Sequence, residues 1–296
     1  MLSVNIPKIL PGELAYSYAK HIAQANELSE KDLLVRALNS KERCIKPKKV
    51  ELLAELAGMS SQDFVCLHTA KPFYGAFEHD PARILPHGVN ERNWHPKANI
   101  LDISHRLRFC AQCARTDIDV WGRSYWRRHH QIPGVCWCQK HHTPLRIAPY
   151  RMFSSAFPHE IIDISEQYIS ASFPTKSSIT SNYLKLVDFV LGLKHPIDIR
   201  AIGAALRRLL TDSGIAWRAN DCRQKFISDR VAENCVLEWL ECIYDDLWRK
   251  RPRSYFFPID SIQLLPDLRA ATYLLKLAVL FDNPDDAANE IASLAV

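Results

Sequence analysis

Two short segments place four metal-ligating side chains at a spacing suited to one ion. Cys110-Ala111-Gln112-Cys113 is followed, after 24 residues, by Cys138-Gln139-Lys140-His141. Zinc takes four tetrahedral nitrogen or sulfur ligands, and a two-residue spacer lets one tight turn supply two of them. The spacing therefore predicts a single Zn2+ on Cys110, Cys113, Cys138 and His141. Four protein ligands leave no open coordination position, so the expected role is structural and not catalytic. Cys136 and His142 flank the second pair off-register, and they read as a packed cysteine and an exposed histidine. The remaining cysteines, Cys44, Cys66, Cys222, Cys235 and Cys242, are scattered; Cys235 and Cys242 stand seven apart, core spacing on one predicted helix.

Between the two pairs, aromatic residues alternate with basic ones from Trp121 to His130. Guanidinium groups beside aromatic rings suit phosphate contact and base stacking. Trp121, Tyr125 and Trp126 read better as the small core that a metal-bound lobe needs. Arg106, Arg108, Arg115, Arg123, Arg127 and Arg128 remain candidates for contact with DNA, RNA or an acidic protein. His129-His130 raises a different chemistry, a His-metal nuclease. Adjacent histidines on a helix point about 100° apart, and no acidic cluster, phosphate loop or nucleophile elbow accompanies them, so a non-enzymatic role is expected.

The elements that must hold these residues read as mainly α. Leu14, Tyr18, Ile22 and Ala25 recur at helical spacing within 11–38, and Val50, Leu53, Leu56 and Ala57 do so in 48–67. The second stretch is interrupted at Gly58-Met59-Ser60-Ser61, giving either a helix-turn-helix unit or an αα-hairpin that only packs. Thr69 to Ala98 is Pro- and His-rich and reads as a connector. Helical spacing returns in 183–192, 199–211, 222–248 and 266–281. The expected organisation is an N-terminal helical, helix-turn-helix-like region (1–104), a central CCCH zinc lobe (105–150), a linker (151–182) and a helix-turn-helix-like C-terminal helical domain (183–296). In the last of these, Ile199 to Ala216 leads into an expected helix bearing Arg218, Arg223, Lys225 and Arg230. Together with Arg207 and Arg208 they could face the major groove, or form an ordinary solvated face.

Composition narrows the class without choosing a partner. In 296 residues, 47% are hydrophobic and 24% charged, which is ordinary for a globular chain of two domains. The net charge of +5 permits nucleic-acid contact without demanding it. The first residues lack a secretory signal, and no stretch approaches the ~18 apolar residues of a membrane span. A cytoplasmic protein without membrane contact is expected, with its nine cysteines reduced or on metal.

One resemblance gathers these features. The pattern Phe109-Cys110-x2-Cys113, then Trp121-Gly122-x2-Tyr125-Trp126-x-Arg128-x2-Gln131-x-Pro133-Gly134-Val135, then Cys138-x-Lys140-His141-x-Thr143-Pro144-Leu145 resembles the TniQ/TnsD family of transposon target-site selection proteins. Pro11 to Ser17 resembles the opening helix of that family, His68 to Pro72 its His-Thr segment, and Trp239 to Phe281 the helical region after the zinc lobe in its TnsD branch. The resemblance implies a non-enzymatic adaptor. Such an adaptor links target DNA, or an RNA-guided Cascade complex with its guide RNA, to the AAA+ ATPase TnsC, and a homodimer is plausible. It also implies that Cys110, Cys113, Cys138 and His141 are the zinc ligands. The chain lacks the further Cys-rich lobe that some members carry after this point. A stand-alone zinc-containing DNA-binding regulator is the alternative.

Overall fold

Helix α1 (Ala15–Ala25) turns Ala15, Tyr18, Ala19, Ile22 and Ala23 into one apolar cluster at i, i+3, i+4, i+7 and i+8, while Tyr16, Ser17 and His21 are buried on its other side. It stops well short of the expected residue 38. The Asn26 amide bonds back to the Ile22 carbonyl at 2.7 Å, and Glu27 takes a left-handed φ of 52°. The computed structural model describes residues 5–29, 32, 49–78, 107–149, 156–167, 178–220, 224–244, 250–262 and 266–294. Residues 30, 31 and 33–38 of the expected helical stretch lie outside them.

Helices α2 (Lys49–Leu56) and α3 (Ser61–His68) follow the expected order, with Gly58 at φ +68° in the turn between them. Ser60 caps α3 by accepting from Asp63 N at 3.0 Å. Val50, Leu53, Phe64 and Val65 close one apolar cluster with Tyr18 and Ile22. Both helices pack with α1, an arrangement that an αα-hairpin satisfies as well as a helix-turn-helix unit. A short helix, α4 (Lys71–Tyr74), and strand β1 (Phe77–Glu78) follow in the segment read as connector.

The central region contains β2 (Arg108–Phe109), α5 (Ala111–Trp121), a 3-10 turn at His129–Gln131, the hairpin β3 (Trp137–Cys138) with β4 (Thr143–Pro144), and β5 (Arg146–Ile147). The span read as linker is partly structured. Pro158–Ile161 forms a 3-10 turn, and β6 (Glu166–Gln167) pairs antiparallel with β5, completing a sheet in the order β2-β5-β6. Ile161 is buried with Leu14, Phe109 and Trp126.

In the second half, α6 (Ser178–Leu191) buries Tyr183, Leu186, Val187 and Val190 against α11 (Pro266–Leu280). Between them run β7 (Ile197–Asp198), parallel to β1, then α7 (Ile199–Asp212), α8 (Ile227–Asn234), α9 (Leu237–Glu241) and α10 (Phe257–Asp260); α12 (Pro284–Ser293) closes the chain. Residues 270 to 278 of α11 are all buried, as expected of a helix surrounded by others.

Two expectations are corrected here. The basic helix after residue 216 begins only at Ile227, so Arg218 and Lys225 lie in the connecting segment. Ala216 bridges to Phe226, and residues 218–220 between them form a bend and turn, not a helix. The single helix expected over 222–248 is also broken, because Cys235 and Val236 have extended backbone between α8 and α9. The break redirects the chain so that Trp239 and Leu240 enter the core. Cys235 and Cys242 therefore cap two different helices.

Candidate metal centre

Cys110 is the N-cap of α5, and its sulfur accepts from Cys113 N at 3.5 Å. The first pair of ligands therefore sits where a helix presents free N–H groups and the positive end of its dipole, which favours thiolates. The second pair comes from the β3–β4 hairpin. Cys138 ends β3, the turn returns through His142 at φ 51°, and His142 N donates to Cys138 O at 2.8 Å. His141 stands inside that turn with Nδ1 facing the sulfurs.

The ligand atoms of Cys110, Cys113, Cys138 and His141 all lie within 4.8 Å of one another and could hold a metal ion. His141 Nδ1 is 3.5, 3.3 and 3.6 Å from the sulfurs of Cys110, Cys113 and Cys138, and the Cys113 and Cys138 sulfurs are 3.7 Å apart. All three cysteines are buried. Hydrogen bonding with Cys113 and Cys138 pulls the Cys110 thiol far below its ordinary value, while the same crowding pushes Cys113 up. Three thiols this close cannot all ionise without a cation among them. Cys136 is buried in the same apolar cluster and His142 is exposed. No other such group occurs among the described residues.

The aromatic residues divide. Trp126 and Tyr125 are buried, as the core reading expects, but Trp121 at the end of α5 is about half exposed. Several arginines offered as partner contacts are engaged within the protein. Arg108 is buried in β2, whose two residues are both covered, and donates to Ile132 O at 3.2 Å. Arg127 pairs with Asp117 at 2.6 Å and lies over the Tyr125 ring. Arg128 donates to Cys66 O, and Arg123 to Lys8 O with Glu13 3.8 Å away. Arg115, Arg207, Arg208, Arg218 and Lys225 are exposed and Arg230 is half-buried; Arg208 pairs with Glu290 and Lys225 with Glu233. Arg106 and Arg223 lie outside the described residues.

His129 and His130 diverge. His129 Nε2 meets Asp188 of α6 at 2.9 Å, whereas His130 is buried and its pKa is pushed down to about 3 by desolvation. Burial opposes the charge on Asp188, but the His129 bond holds its carboxyl below the usual range.

Sequence reasoning did not anticipate the part played by Glu13. It is fully buried, and its carboxylate accepts from Leu10 N (3.0 Å) and Ser17 Oγ (3.0 Å) and meets His21 Nδ1 at 2.6 Å. The Glu13 carbonyl is 2.8 Å from His68 Nδ1, and Leu14 N donates to Trp126 O at 2.8 Å. Segments 11–17, 68–72 and 109–145, far apart in the chain, are thus drawn to one place. The signal available was the acidic residue inside Pro11-Gly12-Glu13-Leu14, flanked by apolar positions.

No described helix is long and apolar enough to cross a membrane. No curated protein matches the chain. Residues 5–145, which contain the four ligands and all three converging segments, match the TniQ family model. Over those residues the chain carries a TniQ domain, which supports membership of the TniQ family.

Proposed function

We propose that this chain is a non-enzymatic adaptor that selects the target site for a transposon. In this reading it links target DNA, or an RNA-guided Cascade complex, to the AAA+ ATPase TnsC. The carrying observation is the TniQ domain over residues 5–145, which marks a transposition-associated target-site selection protein. The four converging ligands support the same reading, because an adaptor needs a lobe of fixed shape.

The ion that fits is one structural zinc. With Zn–S near ~2.3 Å and Zn–N near ~2.0 Å, a tetrahedral site has edges of ~3.8 Å between sulfurs and ~3.5 Å between sulfur and nitrogen. The three distances from His141 Nδ1 to the sulfurs and the separation of the Cys113 and Cys138 sulfurs agree with those edges. Bound there, zinc cross-links the start of α5 to the β3–β4 turn. The chain's own residues do the rest. Arg127 on Asp117 and Arg128 on Cys66 O fasten the intervening loop, and the exposed Arg115, Arg207 and Arg218 are left to meet a partner. Burial of His130, with His129 turned to Asp188, speaks against the two histidines sharing a metal as the nuclease alternative requires.

Titration of purified protein into TnsC with ATP and DNA tests the proposal. The expected outcome is ATPase assembly on DNA that depends on this chain. A discrete DNA footprint with no effect on the ATPase would favour the stand-alone regulator instead.

A further inference from the structure

The segment after α9 contains a turn held with more care than a surface loop requires. Asp229, in the first turn of α8, accepts from Lys250 Nζ at 2.6 Å and from Arg253 N at 2.9 Å through one oxygen. Its other oxygen accepts from Phe226 N at 2.9 Å, capping the helix. The side chains of Lys250 and Asp229 are only 4% and 6% exposed. The Arg251 carbonyl accepts from Lys250 Nζ at 2.6 Å and from Ser254 Oγ at 2.6 Å. Pro252 stiffens the middle, and Arg253 sits at φ 52°, an uncommon conformation for a residue with a Cβ. Tyr255 packs edge-on against Phe226, with ring centroids 5.7 Å apart.

The clamp leaves the Arg251 and Arg253 side chains exposed, without an acidic partner among the described residues. Two other guanidinium groups lie on the same framework. Arg230 follows Asp229 on α8, and Arg218 rests on the Trp217 ring just past Ala216, which bridges to Phe226. Neither has an acidic partner among the described residues. Among the other exposed cations, Arg200 pairs with Asp198, Arg208 with Glu290 and Lys225 with Glu233, while Arg115 and Arg207 stand apart on other elements. Among the described residues beside the turn, Asp229 is buried and consumed by the clamp, Asp260 is buried and accepts from Ser228 and Phe256 N, and Glu233 pairs with Lys225.

We propose that Arg251 and Arg253, with Arg218 and Arg230 on the elements that meet at Phe226, form a preorganised surface for the phosphodiester backbone of a nucleic acid. Arginine presents a rigid fork of donors that matches phosphate oxygens. A turn fixed before binding avoids the entropy loss of ordering two long side chains on a mobile loop. The donors address phosphate and not base edges, so binding here is independent of sequence and sensitive to salt. The inference rests on the adaptor reading and names the surface by which such an adaptor grips its nucleic acid.

The test uses the full chain with a duplex DNA and an RNA hairpin of matched length, titrated by anisotropy between about 50 and 200 mM salt. R251Q/R253Q is expected to weaken binding at least about tenfold and to lower the salt slope by about 2, one per lost phosphate contact. Loss on only one of the two probes identifies the polymer. K250M, which leaves every exposed charge in place, is expected to weaken binding by loosening the turn, and wild-type affinity in that variant overturns the preorganisation. Wild-type affinity and slope in R251Q/R253Q overturn the surface itself. So does an absence of nucleic-acid binding by the wild type, or a double variant that loses only its effect on TnsC, which would mark the surface as a site for an acidic protein. The adaptor reading is judged separately, by ATPase assembly with the unaltered chain.

Discussion

The indole nitrogen of Trp239 donates to the carbonyl of Gly134 at 2.8 Å, joining residues 105 positions apart. Gly134 lies in the Pro133-Gly134-Val135 turn between the two ligand pairs, and Trp239 lies on α9. Tyr183 adds a second tie through its hydroxyl to Pro133 O at 2.8 Å and packs edge-on against Trp239. The ligand-bearing region and the C-terminal helices thus share one apolar cluster, running from Cys110, Ile132 and Cys138 to Leu186, Trp239 and Tyr273.

Changing Gly134 to Ala is expected to be strongly destabilising. Its φ of +77° disfavours any side chain, and an added Cβ would stand 2.6 Å from Tyr183 and 2.9 Å from Ile243. A loss of about 2–4 kcal/mol is expected in urea unfolding. Trp239→Phe keeps an aromatic ring but a smaller one, so it leaves a cavity and also strands a buried carbonyl, for about 2–4 kcal/mol. Wild-type midpoints in both variants would show that the contact does not hold the two parts together.

Metal content is the second measurement. Purified protein is expected to contain one zinc per chain, and Cys113→Ser to lose it together with cooperative unfolding. A strong chelator should reproduce the loss, because ligand binding and local folding are a single equilibrium at such sites. Stoichiometric absence of zinc in folded wild-type protein would falsify the assignment of the ion.

Glu13 offers a third test. Glu13→Gln removes a buried carboxylate from Ser17, His21 and Leu10 N, and should cost about 1–3 kcal/mol. Combined with His21→Ala, the two changes should couple by more than about 0.5 kcal/mol, since they share one bond. Simple additivity would argue that His21 contributes only by stacking on Phe157, at 4.1 Å.

Lys276 gives the pH dependence. It is fully buried on α11, donates to Ser261 O at 2.5 Å, and burial lowers its pKa from 10.5 to about 7 against a weaker pull from Asp260. Between these values the unfolded chain binds more protons than the folded one, so stability rises with pH across the window and the penalty is complete below it. Lys276→Met is expected to remove that rise. The gap between variant and wild type should narrow by about 2 kcal/mol from pH ~7 to pH ~9. A gap constant with pH would mean that the amine is already equally solvated in both states.

How much of this was legible depended on how local each signal was. The ligand pairs could be read because a two-residue spacer fixes turn geometry within four residues, and the structure brings Cys110, Cys113, Cys138 and His141 together. Helices such as Ile199–Asp212 were legible because apolar periodicity is local too. The sequence alone therefore determined a mainly α chain with a Cys/His cluster at its centre. Tertiary structure decided the rest. Arg108 and Arg128 look as solvent-ready as Arg115 in composition, and only tertiary packing turns them inward. The break at Cys235 answers to where Trp239 must reach. Whether a polar group is free or satisfied can be set by a partner 62 or 105 residues away, as with Arg128 and Cys66 or Trp239 and Gly134, and no periodicity in the chain records such a pairing.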